Sequence, residues 1–380
     1  MKIDCLRCFF CGRRYKPGIR YSCSVCRGSL EVIYKSIALT TPHGFRQGIW
    51  RYITALPLEK VVSPVTIGEG DTPLILADRL GKKLGHEHLF LKVEGMNPTL
   101  SFKDRAMSVA VTKAIEFKLK RIVAASTGNT AVSASAYAAK AGLECLVYLP
   151  AGIPMEKRRL PEYYGAKLVE VEGTFSDAYL FALKQSKKLS AFNVTTTYLN
   201  PYIGEGYKTV AYEIFEVIGV PDWIVVPVGA GPLLFYVYKG FLELNRLGCA
   251  QKLPRMVAVQ AAKCAPIARA YETNREEVSE WYDDVQTLAS GVADPLVGYS
   301  RDGTRTLSVV RQSNCAAIAV EEEDIVPFME MLAHYEGICA EPASALPLAS
   351  IQYLRKKSLL KPDDIVVLII TGHGAKSKLK

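Results

Sequence analysis

The sequence predicts an α/β protein with parallel sheets and a small separate module at its N-terminus. Short runs rich in β-branched residues alternate with helical patterns from about residue 85 onward. A repeated strand, helix, strand order at this spacing is typical of parallel sheets wound by right-handed crossovers. Five of the ten cysteines lie within the first 26 residues, which sets residues 1–36 apart from the rest of the chain.

The predicted strands are mostly continuous apolar runs, as expected for strands covered on both faces of a sheet. They are HLFLKVE, RIVAAS, LECLVYLP, AKLVEVEG, DWIVVPVG, RMVAVQA and DIVVLIITG. Between them, TAVSASAYAAKAG and KTVAYEIFEVIG read as helices that end at a glycine, a common residue at helix C-termini. Ligands in such open sheets bind beyond the carboxyl ends of strands, so we expect functional residues in the loops there.

The composition is that of a soluble globular protein. The 380 residues are 49% hydrophobic and 22% charged. No apolar run reaches about 18 residues, and the N-terminus lacks the apolar core of a signal peptide, so we expect a cytoplasmic protein with no membrane partner. The net charge of +9 suits anionic partners, either nucleic acid or small phosphorylated metabolites. Basic runs at the two ends supply part of this charge and are typical of solvated surface, which disfavours nucleic-acid binding.

The N-terminal cysteines have the spacing of a metal site. Cys8, Cys11, Cys23 and Cys26 form two CxxC pairs separated by eleven residues. This spacing can bring four thiolates around zinc in a module too small to bury much core. Two redox pairs, or a site that has lost its metal, are the alternatives, and Cys5 is a spare thiol. The other five cysteines lie in apolar surroundings and read as buried reduced thiols.

One loop after a predicted strand carries small polar residues. Ser126, Thr127, Asn129 and Thr130 surround Gly128 at the start of an alanine-rich helix. Hydroxyl and amide groups beside free backbone N–H groups at a helix N-terminus suit a carboxylate. A helix N-cap with a turn glycine is the alternative, and these five residues alone favour it.

Two further loops follow buried strands. Residues 229–234 read GAGPLL, small residues that allow a close approach to phosphate, although Pro232 removes one donor. After the last strand, Thr371 presents a hydroxyl, and a turn role is favoured over a catalytic role for His373. Helix capping is sufficient to explain Glu341.

A set of short stretches in a fixed order covers nearly the whole chain. They are RCFFCGRRY, CSVCRGSLEVIY, GIWRY, GEGDTPL, NPTLSFKDRAM, ASTGNTAVSASAYAAKAG, NPYIGEGYKTVAYEI, VVPVGAGPLL, EGICAEPASA and TGHGAK. Together they resemble the threonine synthase family of pyridoxal-phosphate enzymes, within the tryptophan synthase β-like fold, or fold type II. The resemblance implies two parallel-sheet αβα domains with the cofactor between them, beside a zinc-ribbon-like module at 1–36. We expect a large cofactor-binding domain from 37–94 and 191–380, and a small α/β domain at 95–190.

The resemblance gives Lys103, in the SFKD motif, the role of holding pyridoxal phosphate as a Schiff base. An amine partly removed from water has a lowered pKa and can act as a nucleophile and then as a base. By the same resemblance, Phe102 flanks the cofactor ring, Asn129 hydrogen-bonds its phenolic oxygen, and Thr371 meets the pyridine nitrogen. Because a hydroxyl does not enforce ring protonation, the ring would be a moderated electron sink.

The resemblance also implies where charged groups bind. The cofactor phosphate would be held by the backbone of Gly229, Ala230, Gly231, Leu233 and Leu234. The carboxylate of a small phosphorylated amino-acid substrate would be held by Ser126, Thr127 and Thr130. Dimers are common in the family, so a homodimer is expected.

Several residues depart from the family pattern. Leu100 and Ala106 stand where NPTGSFKDRG has glycines, which makes the lysine loop bulkier. The segment that reads NSxNPYRxEGQKT in the family is TYLNPYIGEGYKT here, so that Tyr198, Ile203 and Tyr207 replace serine, arginine and glutamine. Isoleucine cannot supply the bidentate phosphate contact of an arginine, so the substrate's leaving group, length or pose is expected to differ. Replacement cations could come from Lys157, Arg158, Arg159, Lys208 or Arg105, although a solvated basic helix face is favoured.

Threonine synthase is the favoured activity, converting O-phosphohomoserine and water to threonine and phosphate. One alternative is β-replacement, as in archaeal cysteate synthases that join O-phosphoserine to sulfite. Another is a related enzyme of specialised metabolism that acts on a different amino acid. The non-enzyme alternative is a zinc-ribbon binding protein with a decayed catalytic domain, but retention of Lys103, Asn129 and Thr371 argues against decay.

Overall fold

Helices and strands alternate along most of the chain in the computed structural model, which describes residues 3–40, 47–59 and 63–377. Lys378 and Lys380, part of the basic run at the C-terminus, lie outside these ranges. The strands are β1 (Ile3–Cys8), β2 (Arg14–Tyr15), β3 (Leu30–Tyr34), β4 (Leu74–Leu76), β5 (Leu89–Val93), β6 (Arg121–Ala125), β7 (Glu144–Pro150), β8 (Lys167–Val171), β9 (Phe192–Asn193), β10 (Trp223–Pro227), β11 (Arg255–Ala261), β12 (Ala317–Val320) and β13 (Val366–Ile370). The helices are α1 (Asp78–Leu84), α2 (Lys103–Glu116), α3 (Asn129–Ala141), α4 (Met155–Tyr163), α5 (Phe175–Lys188), α6 (Thr209–Ile218), α7 (Pro232–Arg246), α8 (Pro266–Glu272), α9 (Ser300–Gln312), α10 (Glu322–Glu336) and α11 (Pro342–Lys356).

The chain forms two compact units. The first unit comprises Met1–Asp71 and Lys103–Thr209, and the second comprises Thr72–Phe102 and Val210–Lys380. The divisions therefore fall after residues 71, 102 and 209, whereas the sequence analysis placed them after residues 36, 94 and 190. The cysteine module and residues 37–71 belong to the same unit as Lys103.

The first unit contains two sheets. Strands β1, β2 and β3 form a small antiparallel sheet in the order β2-β1-β3, and β6 to β9 form a parallel sheet in the order β8-β7-β6-β9. Trp50 and neighbouring apolar residues of the stretch 49–58 pack with Val109 of α2 in a buried cluster. This packing fixes α2, the helix that begins at Lys103.

The second unit is built on one six-stranded sheet in the order β12-β11-β10-β13-β5-β4, which is parallel except for β4. Strands β10 and β13 are buried along their whole length, as their continuous apolar sequences require. Helices α1, α10 and α11 contribute to the apolar core on this sheet. The central strands thus give a rigid base for the loops that follow them.

The predicted parallel-sheet α/β architecture is confirmed. All seven predicted strands are present, and α3 and α6 are followed by Gly142 and Gly219, both with positive φ. Strand β8 differs from the expectation of two covered faces because it lies at a sheet edge and is partly exposed. In the described ranges, none of the helices has the length and apolar character needed to cross a bilayer.

Candidate active site

Lys103 is the first residue of α2, and hydroxyl groups surround its amine in the first unit. Its Nζ donates a hydrogen bond to Thr196 Oγ1 at 2.7 Å, and Thr196 Oγ1 lies 2.6 Å from Thr130 Oγ1. Thr130 belongs to the predicted polar loop, whereas Thr196 follows β9 and was not predicted. The structure therefore brings together Lys103, Thr130 and an additional threonine.

The two residues after Lys103 anchor the start of α2. The Asp104 carboxylate accepts a hydrogen bond from Ser133 Oγ, and Arg105 Nη1 donates to Thr209 Oγ1 at 3.0 Å. Both side chains are fully buried, so these polar contacts replace the water that the charges lose. The backbone of Lys103 is thereby fixed at one end of a well-anchored helix.

The loop at residues 126–130 is shaped by backbone contacts. Ser126 Oγ accepts the N–H of Gly128 at 3.1 Å, and the N–H of Ser126 donates to Tyr148 O on β7. No side chain caps the N-terminus of α3, which begins at Asn129. Simple helix capping therefore does not account for the polar residues of this loop, in which the side chains of Thr127 and Asn129 are half-buried.

In the second unit, the loop between β10 and α7 has the geometry of a phosphate cradle. Gly231 has φ of +94° and is the N-cap of α7, and no side chain caps this helix. A Cβ on Gly231 would lie 2.3 Å from Thr306 Oγ1, and Thr306 Oγ1 itself donates to the carbonyl of Ala230 at 2.5 Å. Gly229 is also confined, because a Cβ there would lie 3.1 Å from Cβ of Asp294. The loop requires glycine and presents a positive helix end, and both features fit a phosphate group.

Thr371 lies at the carboxyl end of β13 and is paired with a second hydroxyl. Its Oγ1 is 2.9 Å from Ser344 Oγ, and Ser344 Oγ also accepts the N–H of Gly372 at 2.8 Å. The carbonyl of Thr371 accepts the N–H of Phe102 at 3.0 Å, which fixes Phe102 beside this strand end. Ser344 was not predicted, although it lies within the quoted stretch EGICAEPASA.

Three neighbouring residues have mainly structural contacts. His373 Nδ1 accepts the N–H of Ala375 at 3.0 Å, which supports a turn role for this histidine. The backbone of Glu341 caps α11, and a Cβ placed on Gly372 would lie only 2.4 Å from the carboxyl group of Glu341. Gly372 therefore has to be a glycine to admit the Glu341 side chain.

One buried hydroxyl next to Phe102 has no partner. Ser101 is fully buried, and in the part of the chain that the structure describes its Oγ makes no hydrogen bond. A buried polar group without a partner costs about 1–3 kcal/mol, so a ligand that supplies one would be favoured here. Together with the glycine cradle, this orphaned hydroxyl fits a phosphorylated, polar cofactor.

Three of the residues that depart from the family pattern, all in the segment TYLNPYIGEGYKT, are buried in the first unit. Tyr198, Ile203 and Tyr207 are each about 1% exposed. Among the replacement cations, Lys208 forms an ion pair with Glu205 at 2.8 Å, and both side chains are fully buried.

The remaining replacement cations are exposed or already engaged. Arg158 forms ion pairs with Glu162 and Glu170, and Arg105 hydrogen-bonds Thr209. Lys157 and Arg159 are exposed on α4, as a solvated basic helix face would be. Among the described side chains, we therefore identify no cation that replaces the phosphate contact of the arginine that the family has at position 203.

The four predicted cysteine ligands lie together in the N-terminal module. Their sulfur atoms are all within 4.8 Å of one another, with 3.4 Å between Cys8 and Cys26 and 3.6 Å between Cys11 and Cys23. A tetrahedral zinc ion with Zn–S bonds of about 2.3 Å requires sulfur atoms about 3.8 Å apart. A Cβ on Gly28 would lie 3.3 Å from the sulfurs of Cys8 and Cys26, so glycine leaves room for the cluster.

The surroundings of Cys23 favour its thiolate. Burial acts to raise the pKa of this thiol, but hydrogen bonds from the N–H of Cys26, from the hydroxyl of Tyr15 and from the N–H of Val25 lower the pKa of Cys23 to about 6. A thiolate is the form that binds metal, so Cys23 suits a soft divalent ion, whereas burial raises the pKa of Cys8 to about 12.

Comparisons with known proteins agree with this geometry. A family model described as pyridoxal-phosphate dependent enzyme matches residues 65–372. The threonine synthase of Methanosarcina acetivorans is 38% identical over 378 residues, which cover 97% of this chain and 91% of that protein. The threonine synthase of Methanocaldococcus jannaschii is 37% identical over 380 residues, covering 97% and 92%. The structure of maize serine racemase matches with a TM-score of 0.69 at 20% identity over 80% of this chain and 88% of that one, a likeness of fold.

Proposed function

The chain belongs to the pyridoxal-phosphate-dependent enzymes and is threonine synthase-like, and from this premise we propose that it releases phosphate from O-phosphohomoserine to form threonine. In this reaction phosphate leaves from Cγ, and water adds at Cβ. Similarity to threonine synthases along almost the full length of the chain is the observation that carries the proposal. Expected partners are therefore a small phosphorylated amino acid and a second copy of the chain.

The residues present would hold the cofactor in defined ways. Lys103 would bind its aldehyde carbon, the loop from Gly229 to Leu234 would bind its phosphate, and Asn129 and Thr371 would meet its ring. Phe102, fixed by Thr371, would flank the ring. When bound, the cofactor supplies an electron sink for the negative charge that develops at the substrate Cα.

The chain's own groups would bind the substrate and move its protons. Ser126, Thr127 and Thr130 would bind the carboxylate through hydroxyl and backbone N–H groups at the start of α3. Once the substrate amine has displaced it from the cofactor, the freed amine of Lys103 would take the proton from Cα. Its hydrogen bond to Thr196 and its place at the start of the anchored helix α2 would hold it in position. Asp104 and Arg105 would keep that helix in place rather than react.

The fully buried Ile203 favours a second candidate, β-replacement on O-phosphoserine with sulfite, or the use of another amino acid. In threonine synthases an arginine is expected at this position to bind the substrate phosphate. Here the position is apolar and about 1% exposed, so the leaving group would have to be bound elsewhere. A shorter or differently placed leaving group would satisfy that condition.

Product analysis tests both candidates. Cofactor-loaded enzyme is incubated with O-phosphohomoserine, or with O-phosphoserine and sulfite, and phosphate and amino-acid products are quantified by mass spectrometry. Threonine and phosphate from the first mixture support the main proposal, and cysteate from the second supports the alternative. If neither mixture releases phosphate, both reactions are rejected. Lys103→Ala serves as the inactive control, and borohydride reduction of the wild type should attach the cofactor to the Lys103 peptide.

An arginine variant tests the role of position 203. Ile203→Arg places a charge in a buried site and should destabilise the first unit by several kcal/mol unless an anion pairs with it. If the substrate phosphate binds here, inorganic phosphate at about 100 times its Kd should restore about 2.7 kcal/mol. Ile203→Met is the uncharged control. Destabilisation that phosphate does not reverse would show that this position is only part of the core.

The cysteine cluster would hold one structural zinc ion. Metal analysis of the purified protein should give one ion per chain, and Cys11→Ser, at an exposed ligand, should lower that content. Unchanged metal content in this variant would place the metal elsewhere.

A further inference from the structure

We propose that the N-terminal cysteine module positions the amine of Lys103 by clamping the segment at residues 192–208. This inference rests on the proposed metal site and on the proposed catalytic use of Lys103. All the contacts that carry it lie within the first unit. The module would then be a positioning device for the catalytic lysine as well as a small folded appendage.

The stretch between the two CxxC pairs binds both ends of the Asn193–Tyr202 region. The hydroxyl of Tyr21 accepts the N–H of Asn193 at 2.8 Å, and its ring centre lies 6.5 Å from that of Phe192. The hydroxyl of Tyr202 accepts the N–H of Gly18 at 2.9 Å and donates to the carbonyl of Gly18 at 3.0 Å.

A third contact comes from β3 and reaches the end of the segment. Tyr34 donates to Glu205 Oε2 at 2.8 Å, and Glu205 forms the buried ion pair with Lys208. The ammonium of Lys208 lies 4.3 Å from the centre of the Tyr34 ring, a cation–π contact. The module therefore contacts the segment near its beginning, middle and end.

Hydrogen bonds and a short stretch of backbone connect the clamp to Lys103. Asn193 Oδ1 accepts the N–H of Thr195 at 3.0 Å, and Thr195 Oγ1 accepts the N–H of Ala125 at 2.9 Å. The next residue, Thr196, accepts the hydrogen bond from Lys103 Nζ at 2.7 Å. We expect a displacement of Asn193 to reach Thr196, the partner of the lysine amine, through the Asn193–Thr195 hydrogen bond and the backbone that joins Thr195 to Thr196.

The proposed metal ion is expected to affect the clamp, because the clamp residues belong to a module with a small hydrophobic core. Gly18 and Tyr21 lie in an irregular stretch between the cysteine pairs, and Tyr21 is two residues from Cys23. In so small a module the free energy of metal binding contributes directly to folding. Loss of the metal should therefore loosen the stretch that contacts Asn193 and Tyr202.

The first test removes one clamp hydroxyl and leaves the metal ligands intact. Tyr21→Phe in the cofactor-loaded enzyme should keep its metal content, while amide exchange in peptides spanning 192–200 becomes roughly threefold to tenfold faster, as expected for one lost hydrogen bond. The pH profile of kcat should shift, because Lys103 is the group displaced, whereas KM should change little. Tyr163→Phe, at a side chain 86% exposed, is the matched control. Unchanged exchange and an unchanged pH profile in Tyr21→Phe would overturn the proposal.

The second test removes the metal from the wild-type holoenzyme with a chelator. Exchange should increase in the module and in 192–208, with no increase in β11 of the second unit as an internal reference. Faster exchange confined to the module would overturn the proposed coupling. Protein that neither contains nor binds zinc would refute the metal site, and the Tyr21→Phe experiment would still decide whether the clamp positions Lys103. If both tests support the positioning of Lys103 but the enzyme releases no phosphate, only the proposed reaction is refuted.

Discussion

Leu100 places a branched side chain at a backbone conformation that favours glycine. Its φ is +63°, in the left-handed region. The turn is fixed by hydrogen bonds from Leu100 N to Asn97 O at 2.7 Å and from His373 N to Leu100 O at 3.0 Å, so the backbone cannot easily relax. Leu100→Gly should therefore relieve strain three residues before Lys103, and Leu100→Ala should retain it.

The size of the effect follows from two opposing terms. A residue with a β-carbon costs about 1–2 kcal/mol in the left-handed region. Glycine costs about 0.5–1 kcal/mol relative to alanine because its unfolded chain is more flexible. Both variants lose the half-buried leucine side chain, so that loss largely cancels between them. Leu100→Gly should have a free energy of unfolding about 0.5–1 kcal/mol higher than that of Leu100→Ala.

Urea unfolding of the two variants measures this difference. The matched controls are Leu183→Ala and Leu183→Gly, at a half-buried position of α5. In a helix the alanine variant should be more stable than the glycine variant by about 1 kcal/mol. The order of stability should thus be opposite at the two positions. The strain argument would be refuted if Leu100→Ala were as stable as Leu100→Gly while Leu183→Ala remained more stable than Leu183→Gly.

Three further predictions concern the candidate site and the fold. Thr196→Val should lower kcat and alter its pH profile while Thr196→Ser retains both, and an unaltered profile in the valine variant would exclude a positioning role. Gly231→Ala should weaken cofactor binding roughly tenfold in a titration, because strain of this kind costs about 1–3 kcal/mol, and unchanged affinity would exclude the cradle. Burial acts to raise the pKa of Asp222, but hydrogen bonds from Lys252 and the N–H of Ile365 lower it. This carboxylate therefore stabilises the fold above pH 3.8, the ordinary pKa of aspartate, and that stabilisation is lost as the pH falls further. The free energy of unfolding should therefore decrease less on acidification in Asp222→Asn than in the wild type. An equal decrease in the two proteins would contradict this role of Asp222.

The sequence was sufficient for features that depend on local pattern. Continuous apolar runs identify central strands such as β10 and β13, and terminal glycines identify the ends of α3 and α6. Short strands such as β9 and β12 carry too few residues to show a period. Thr196 and Ser344 could not be predicted for a different reason: each acts through a partner distant in sequence. Lys103 and Thr196 are 93 positions apart, and Thr196 follows β9, which pairs with β6, the strand that precedes the loop with Thr130.

The segment at 192–208 combines an apolar residue at position 203 with contacts to the cysteine module. An arginine at position 203 would need an anion to offset its burial, so it would be well ordered only with substrate phosphate bound. Ile203 has no such need, and the segment is instead held by Tyr21, Tyr34 and Gly18 of the cysteine module. A segment ordered before substrate arrives loses less conformational entropy on binding. If the proposed function is correct, Ile203 and the contacts of the module would therefore act together, because the protein itself would order a segment that the substrate would otherwise have to order.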